Sequence, residues 1–337
     1  MSIPYRAQRA IKRIFTAVLV TAILMAAGTA CWLIWIQRYI VYTADGGAKL
    51  DFNLPPLKPG ESAVAPEKWD ISINYDKSDE IVDVSTELTQ MAGYYVEPDA
   101  LKDLATVKAQ IEALPAGTPV LVDVKNISGY FYYSSSVSSA RSKQVDIAAM
   151  DDLIAFLKRS NVYAIARFPA LRDYTYGLNH VSDGVHHESG RYLYLDESRC
   201  YWLHPGSQGT LSYLTQIILE LKSLGFDEVV LDDFRFPEAT NILVKGDKAE
   251  LLTNAANTLV SACATDRFAI SFVKSSPFTP PSGRSRIYLS GVDASQAANA
   301  AQNSGVANPV VNLVFLTEIH DTRFDAYSVL RPLSGAH

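Results

Sequence analysis

Two hydrophobic patterns alternate along the chain from about residue 91. Short, mostly apolar runs are typical of parallel strands buried on both faces. Between them, apolar residues recur every three or four positions, as on one face of a surface helix. The predicted strands are 91–96, 119–124, 162–168, 229–231, 268–273, 286–292 and 309–316, and the predicted helices are 100–114, 147–160, 213–224 and 250–264.

This alternation predicts a parallel sheet closed as a (β/α)8 barrel of the TIM type. A doubly wound sheet is the alternative, but no strand is followed by a GxGxxG motif or a phosphate-binding loop. The pattern gives six or seven strands, whereas a full barrel has eight. The segment 326–333, AYSVLRPL, could supply the eighth, although only a short loop separates it from the preceding strand. The barrel is therefore expected to be either complete or irregular at its C-terminal end.

A long apolar segment precedes this region. Residues 14–36 carry no charge, and 23 helical residues span roughly 35 Å, enough to cross a bilayer. Basic residues without acidic ones precede the segment, which predicts a cytoplasmic N-terminus. These residues are Arg6, Arg9, Lys12 and Arg13. A cleaved signal peptide is the alternative, since Ala26, Ala27 and Gly28 offer small residues for cleavage.

The favoured organisation is a membrane protein that crosses the bilayer once, with its C-terminal domain extracellular. A cytoplasmic basic tail at 1–13 is followed by a transmembrane signal anchor at 14–36, a Pro-rich linker at 37–68 and the barrel domain at 69–337. The net charge is −6, and the part beyond the four basic residues of the tail carries −10. An acidic exterior domain argues against nucleic acid as a partner.

Cysteine and histidine usage indicates no cofactor. Cys200 and Cys263 lie outside the anchor and could form one disulfide, but the sequence does not show whether they meet. His180, His186 and His187 lack the ligand spacing of a zinc site, so no metal is expected.

The strongest chemical signal is the segment 225–237, GFDEVVLDDFRFP. Gly225 suits the end of a helix, and the apolar run that follows is a buried strand. Asp232, Asp233 and Arg235 come directly after it, at the carboxyl end where α/β folds bind ligands. The alternative is a structural Asp–Arg pair that closes the strand.

Two neighbouring predicted strands also end in charged residues. Asp123 falls at the end of the second strand and Arg167 at the end of the third. Carboxyl ends of parallel strands meet at one edge of a sheet, so these residues are candidates for the same site as Asp232. A salt bridge of Asp123 with Arg167 or Lys125 is the structural alternative.

Four segments together resemble the bacterial glycoside hydrolase-like barrels, distant relatives of the α-amylase clan. The segments are LVDVKNISGYFYYSS, VYAIARFPALRD, YWLHPGS and ELKSLGFDEVVLDDFRFP, in the order of that family. The resemblance implies a carbohydrate-binding cleft at the carboxyl face of the barrel. It implies a nucleophile at Asp232, and site positions at Asp123, Arg167, Trp202, His204 and Arg235. Trp202 and Tyr174 would offer flat faces to a sugar.

The general acid is harder to assign. The family usually places an acidic residue after the fifth strand, where this chain has ISFVKSS. The candidates elsewhere are Asp233, Asp293 and Glu318. Asp233 is a poor partner because adjacent strand residues point in opposite directions, and Glu318 after the seventh strand is preferred.

The sequence is therefore interpreted as an extracytoplasmic glycosidase, an O-glycosyl hydrolase that acts on a cell-surface or environmental polysaccharide. Asp232 and Glu318 are the catalytic candidates, and Asp123, Arg167, Trp202, His204, Asp233 and Arg235 are the substrate-binding candidates. The alternatives are a carbohydrate-binding protein that has lost its acid and a structural scaffold of the cell envelope.

Overall fold

The computed structural model describes residues 19–21, 25–26, 28–29, 32, 35, 40–42, 48–50 and 87–335. The chain divides into two compact units, Met1–Val82 and Asp83–His337. In the first unit the described residues between 19 and 35 are helical, and Ile40–Tyr42 pairs antiparallel with Ala48–Leu50.

The N-terminal predictions fall mainly outside the described residues. This holds for the tail at 1–13, most of the anchor at 14–36 and almost all of the linker at 37–68. Within the described part of the chain, no helix combines the length and the apolar character needed to cross a membrane. The barrel domain was predicted to begin at 69, and its residues 69–86 also lie outside the description.

Residues 87–335 form a closed barrel of eight strands, and every neighbouring pair is parallel. The strands are β1 (Ala92–Tyr95), β2 (Pro119–Asp123), β3 (Tyr163–Pro169), β4 (Glu228–Asp232), β5 (Ala269–Val273), β6 (Ile287–Ser290), β7 (Leu313–Leu316) and β8 (Ser328–Pro332). The predicted (β/α) barrel is therefore confirmed. The segment AYSVLRPL does supply the eighth strand, which pairs with β1 and closes the ring.

Helices cover the outside of the barrel unevenly. They are α1 (Leu104–Glu112), α2 (Ile147–Arg159), α3 (Tyr174–Asn179), α4 (Gln208–Leu224), α5 (Lys248–Cys263), α6 (Ala297–Asn303) and α7 (Pro309–Asn312). Helix α4 begins five residues before its predicted start and ends as predicted at Gly225, which adopts a φ of 99°. No helix joins β5 to β6, and only a 3-10 turn joins β7 to β8. The C-terminal half is thus irregular in its helices but not in its strands.

Strand alternation decides which side chains enter the barrel. Leu121, Ile165 and Val230 belong to a small buried cluster that also includes Tyr288 and Leu330. This cluster fills the barrel interior, while the opposite strand faces join the larger core under the helices. Since side chains alternate with a period of two, residues two positions further along β2, β3 and β4 also point inward. Those residues are Asp123, Arg167 and Asp232.

The amino end of the barrel holds a buried ion pair. Nη1 of Arg286 lies 2.5 Å from Oε2 of Glu228, and the two side chains are 2% and 0% exposed. The hydroxyls of Tyr163 and Tyr288 each donate to Glu228 at 2.9 Å, and Nη2 of Arg286 donates to the carbonyl of Thr89 at 2.9 Å. The network thereby links β3, β4 and β6 to the segment that leads into β1.

Replacing Arg286 tests how much this network contributes to stability. Arg286→Met leaves the Glu228 carboxylate buried without its countercharge, and loss of one partner of a buried pair costs about 3–5 kcal/mol. Urea unfolding of the variant is expected to show a decrease of that order. Arg323→Met removes an exposed pair with Asp321 and is expected to change stability little. Equal stability of the two variants would contradict this account.

Candidate active site

Charged side chains from adjacent strands meet at the carboxyl end of the barrel. Nε of Arg167 lies 2.6 Å from Oδ1 of Asp123, and its Nη2 lies 3.0 Å from Oδ2. The two residues are paired in the β2–β3 register, which places them side by side. Their side chains are 18% and 17% exposed, so the pair borders the barrel mouth without being fully solvated.

Arg167 also feels the charge of Asp232 on the next strand. Burial lowers the pKa of the Arg167 guanidinium, but the hydrogen bonds and charge of Asp123 and the charge of Asp232 raise it above its ordinary value. The guanidinium therefore stays charged and compensates for two carboxylates. The structure thus brings together three residues that the sequence placed at separate strand ends.

Asp232 ends β4, and the chain turns sharply after it. Asp233 has a φ of 46°, in the left-handed region that residues other than glycine rarely adopt. In this conformation the backbone N–H of Asp233 donates to Oδ1 of Asp232 at 2.7 Å. One carboxylate oxygen of Asp232 is thereby held by the backbone.

The Asp233 side chain contacts two arginines. Its Oδ1 lies 3.6 Å from Nε of Arg235, and its Oδ2 lies 3.9 Å from Nη1 of Arg172. Burial raises the pKa of the Asp233 carboxyl, and the charge of Asp232 adds to this, whereas the two arginines lower it. Asp233 is therefore placed to support Asp232 and not to act opposite it.

Trp202 does not present an open face to a sugar. The side chain is 2% exposed, and the guanidinium carbons of Arg172 and Arg235 lie 5.4 and 4.8 Å from its ring centroid. The indole N–H donates to Asp196 at 2.9 Å. The stacking predicted for this residue is corrected accordingly, because the ring packs against two arginines of the site rim.

Tyr174 and His204 occupy the same insertion between β3 and α4. Tyr174 is 37% exposed and stacks on Tyr201, with ring centroids 5.2 Å apart. His204 packs edge-on against Phe236, and burial lowers the pKa of its imidazole, to which the nearby His186 adds. His204 is thus expected to be neutral at pH 7, and Tyr174 retains a ring face open to solvent.

A pocket of about 550 Å³ opens beside Arg167 at the barrel mouth. Tyr95, Asp293 and Glu318 line it together with Arg167 and residues of the loops after β6 and β7. Burial raises the pKa of the Tyr95 phenol, and the charge of Glu318 raises it further. Glu318 and Arg167 therefore share one cleft, although Arg167 lies on β3 and Glu318 lies in the loop after β7.

The other acid candidates are less suitable. Asp293 caps the 3-10 helix Ala294–Gln296, and hydrogen bonds from Ser295 lower the pKa of its carboxyl, whereas a general acid needs a raised pKa. β5 ends at Val273, and the next residue is Lys274, whose Nζ donates to the carbonyl of Ser304 at 2.7 Å. No carboxylate therefore follows β5 directly.

Two acidic residues near this end of the barrel, Glu97 and Asp173, were not among the site residues predicted from the sequence. Glu97 lies two residues beyond the inward-facing Tyr95, and its charge contributes to the raised pKa of the Tyr95 phenol. Its Oε1 accepts a hydrogen bond from Ser334, whereas its Oε2 is buried and has no hydrogen-bond partner among the described residues. The alternation along β1 was the available signal for Glu97.

Asp173 forms a fully buried pair with Lys125, with Nζ and Oδ2 2.8 Å apart. Asp173 also accepts from the hydroxyl of Tyr213 at 2.9 Å. Lys125 was considered only as a partner for Asp123, and the structure gives it a different one. This pair fixes the loop after β2 against the loop after β3, behind the site.

Metal and disulfide chemistry receive no support in the described part of the chain. No group of three or more His, Cys, Asp or Glu residues there could hold a metal ion. Cys200 and Cys263 are both buried and free, so they do not form the disulfide that the sequence left open.

Comparison with known proteins agrees with the resemblance. Residues 103–269 match the family described as "Putative glycosyl hydrolase domain". The matched stretch contains β2, β3 and β4 with Asp123, Arg167 and Asp232. No curated protein sequence matches the chain.

Three solved structures illustrate the structural similarity. A hypothetical protein from Ruminiclostridium thermocellum is 18% identical with a TM-score of 0.45, over 53% of this chain and 96% of that one. The α-galactosidase from Lactobacillus brevis is 10% identical with a TM-score of 0.47, over 73% of this chain and 38% of that one. The glycoside hydrolase domain of PelA from Pseudomonas aeruginosa is 11% identical with a TM-score of 0.43, over 73% and 95%. This chain thus spans little more than a third of the galactosidase.

The raised pKa of Asp233 predicts a pH-dependent stability difference. The folded state binds the Asp233 proton more tightly than the unfolded state, in which the pKa of an aspartate is about 3.9. The protonated carboxyl therefore contributes fully to the free energy of unfolding below about pH 3.9, and this contribution is lost as pH rises through the folded pKa. Asp233→Asn removes this pH-dependent loss of stability, because the amide does not ionise. Its free energy of unfolding relative to that of the native chain is expected to increase, in urea unfolding, as pH rises from about 3.9 through the folded pKa of Asp233.

Asp266→Asn, at an exposed turn before β5, is the matched control. Its free energy of unfolding is expected to differ from that of the native chain by the same amount at every pH. A stability difference for Asp233→Asn that decreases with rising pH would contradict the assignment.

Proposed function

We propose that this chain is a membrane-anchored, extracytoplasmic glycoside hydrolase that cleaves a cell-surface or environmental polysaccharide. One observation carries the proposal: Asp123 and Asp232 end their strands, Arg167 lies two residues before the end of the strand between them, and all three face inward at the carboxyl mouth of a closed barrel. Barrels of this type carry their active sites at that face. The family match over residues 103–269 supports the same chemistry.

Asp232 is assigned as nucleophile or electrostatic stabiliser. Glycosidic cleavage passes through a transition state with positive charge at the anomeric carbon, which a nearby carboxylate stabilises or attacks. Because Oδ1 accepts the N–H of Asp233, Oδ2 is the oxygen available to the sugar. Arg167 and Asp123 would orient sugar hydroxyls beside it, since a two-point Arg–carboxylate pair is rigid.

Glu318 is assigned as the general acid that protonates the leaving oxygen. It is exposed and lines the cleft that contains Arg167. Glu97 is the alternative, because it lies two residues beyond Tyr95 at the end of β1 and its charge acts on the Tyr95 phenol. A separation of about 5 Å between the two carboxyl groups would indicate retention of configuration and a larger one inversion.

The proposed location rests on the sequence. The uncharged segment at 14–36 is preceded by basic residues without acidic ones, so we interpret it as a signal anchor that leaves the barrel outside the cell. A spacer rich in proline would then hold the barrel away from the membrane.

A carbohydrate-binding protein without activity is the second candidate. The absence of a carboxylate directly after β5, where Lys274 follows Val273, favours it. Such a protein would use the same mouth and the exposed ring of Tyr174 to hold a glycan. A scaffold role in the envelope has no comparable observation behind it.

Replacing Asp232 tests the nucleophile. The full chain is incubated with cell-wall and exopolysaccharide glycans, and released reducing ends are measured. Asp232→Asn is expected to abolish release while the circular dichroism spectrum stays native, because the amide can neither attack the anomeric carbon nor stabilise the positive charge of the transition state. Asp266→Asn is the control and should retain activity. Unchanged release by the Asp232→Asn variant would refute the assignment.

The two acid candidates are separated by single variants. Glu318→Gln is expected to lower kcat by about 10²–10⁴-fold, the usual contribution of a general acid. A substrate with a good leaving group should be affected much less, since it needs no protonation. If Glu97→Gln shows that pattern and Glu318→Gln does not, the acid is Glu97.

A further inference from the structure

The insertion between β3 and α4, residues 170–207, is joined to the end of β4 by a cluster of charged side chains. Asp196 lies at its centre. Its Oδ2 accepts from Nε of Arg172 at 2.8 Å and from Nε1 of Trp202 at 2.9 Å, and its Oδ1 accepts the backbone N–H of Cys200 at 2.9 Å. The side chains of Arg172 and Asp196 are only 17% and 11% exposed, so solvent screens this pair weakly.

Arg172 connects this cluster to Asp233. Its guanidinium lies against the ring of Trp202, which fixes the plane of the group. From there Nη1 reaches to 3.9 Å from Oδ2 of Asp233. Arg235 contacts the other oxygen of Asp233 at 3.6 Å, but it belongs to the same turn and also pairs with Glu238. Arg172 is therefore the ion-pair partner that the described residues give Asp233 from outside its own turn.

The backbone of Asp233 makes this contact relevant to Asp232. A left-handed conformation at a residue other than glycine persists only where its surroundings hold it. In that conformation the Asp233 N–H donates to Oδ1 of Asp232. Releasing the Asp233 side chain would let the backbone relax, and this hydrogen bond would be lost.

We propose that Arg172 is a positioning residue for the candidate nucleophile. Asp196 and Trp202 hold Arg172, which keeps Asp233 in its left-handed conformation. The Asp233 N–H then engages Oδ1 of Asp232 and leaves Oδ2 directed at the substrate. The catalytic part of this inference rests on the proposed function, whereas the link from Arg172 to Asp233 does not.

The kinetic test uses the full chain and the glycan that it cleaves. Arg172→Gln is expected to lower kcat by about ten- to a hundredfold with little change in KM, because a small misplacement of a reacting group costs about that much. Arg172→Lys should rescue little, since lysine offers neither the planar stack nor the two-point pair. Asp196→Asn should act in the same direction. Arg191→Gln, an exposed arginine of the same insertion, is the control and should behave as the native chain.

A second measurement does not need a substrate. In a carboxyl-carbon NMR titration, Arg172→Gln is expected to raise the pKa of Asp233 further. Burial and the charges of Asp232 and Asp196 raise this pKa, whereas the charges of Arg172 and Arg235 lower it. The variant loses the effect of Arg172 and keeps that of Arg235. Arg191→Gln should leave the pKa of Asp233 unchanged. If the native chain cleaves no glycan, the proposed function fails together with the catalytic part of the inference, and this titration decides the link from Arg172 to Asp233. An unchanged Asp233 pKa in the Arg172→Gln variant, or an unchanged kcat, would overturn the inference.

Discussion

The buried ion pair between Glu228 and Arg286 is the interaction on which the barrel depends. Two charges inside a barrel are costly unless each is compensated. Here two tyrosine hydroxyls and the backbone carbonyls of Thr89 and Val311 complete the hydrogen bonding. The pair draws β3, β4 and β6 together at the amino end, although no helix joins β5 to β6. The inward register fixed there continues along β4 and brings Asp232 into the mouth.

The same register explains how much of the site could be predicted. Asp123, Arg167 and Asp232 stand directly at the ends of apolar runs, so the sequence placed them at one face, and the structure shows them together. The eighth strand was uncertain because its loop is short, and pairing with β1 is a long-range contact that no local pattern reveals. Glu97 was missed because β1 is short and the residue lies beyond its last ladder pair.

Other features depend on tertiary packing and could not be predicted from the sequence. Trp202 carries a motif position, but motif membership does not say whether a ring is open or covered. Its burial between Arg172 and Arg235 turns an expected sugar platform into a support for the end of β4. Lys125 likewise pairs with Asp173, which is far along the chain and became its partner only when the loops after β2 and β3 packed together.

The charges at the two ends of the barrel serve different purposes. At the amino end Glu228 is paired with Arg286, whereas at the mouth the charges of Asp123 and Asp232 both act on Arg167, and Glu318 is exposed. Such an excess of carboxylates around a cleft is what acid–base and nucleophilic chemistry on a sugar requires. Because no carboxylate directly follows β5, the candidates for the general acid lie in the loops after β1 and β7, at Glu97 and Glu318.

The most direct measurement is a crystal structure of the Asp232→Asn variant with a bound oligosaccharide. The account predicts an anomeric carbon about 3–3.5 Å from the side chain at position 232, the distance of a reactive arrangement. It also predicts sugar hydroxyls within hydrogen-bond reach of Arg167. An oligosaccharide bound elsewhere on the barrel, with the mouth empty, would contradict the account.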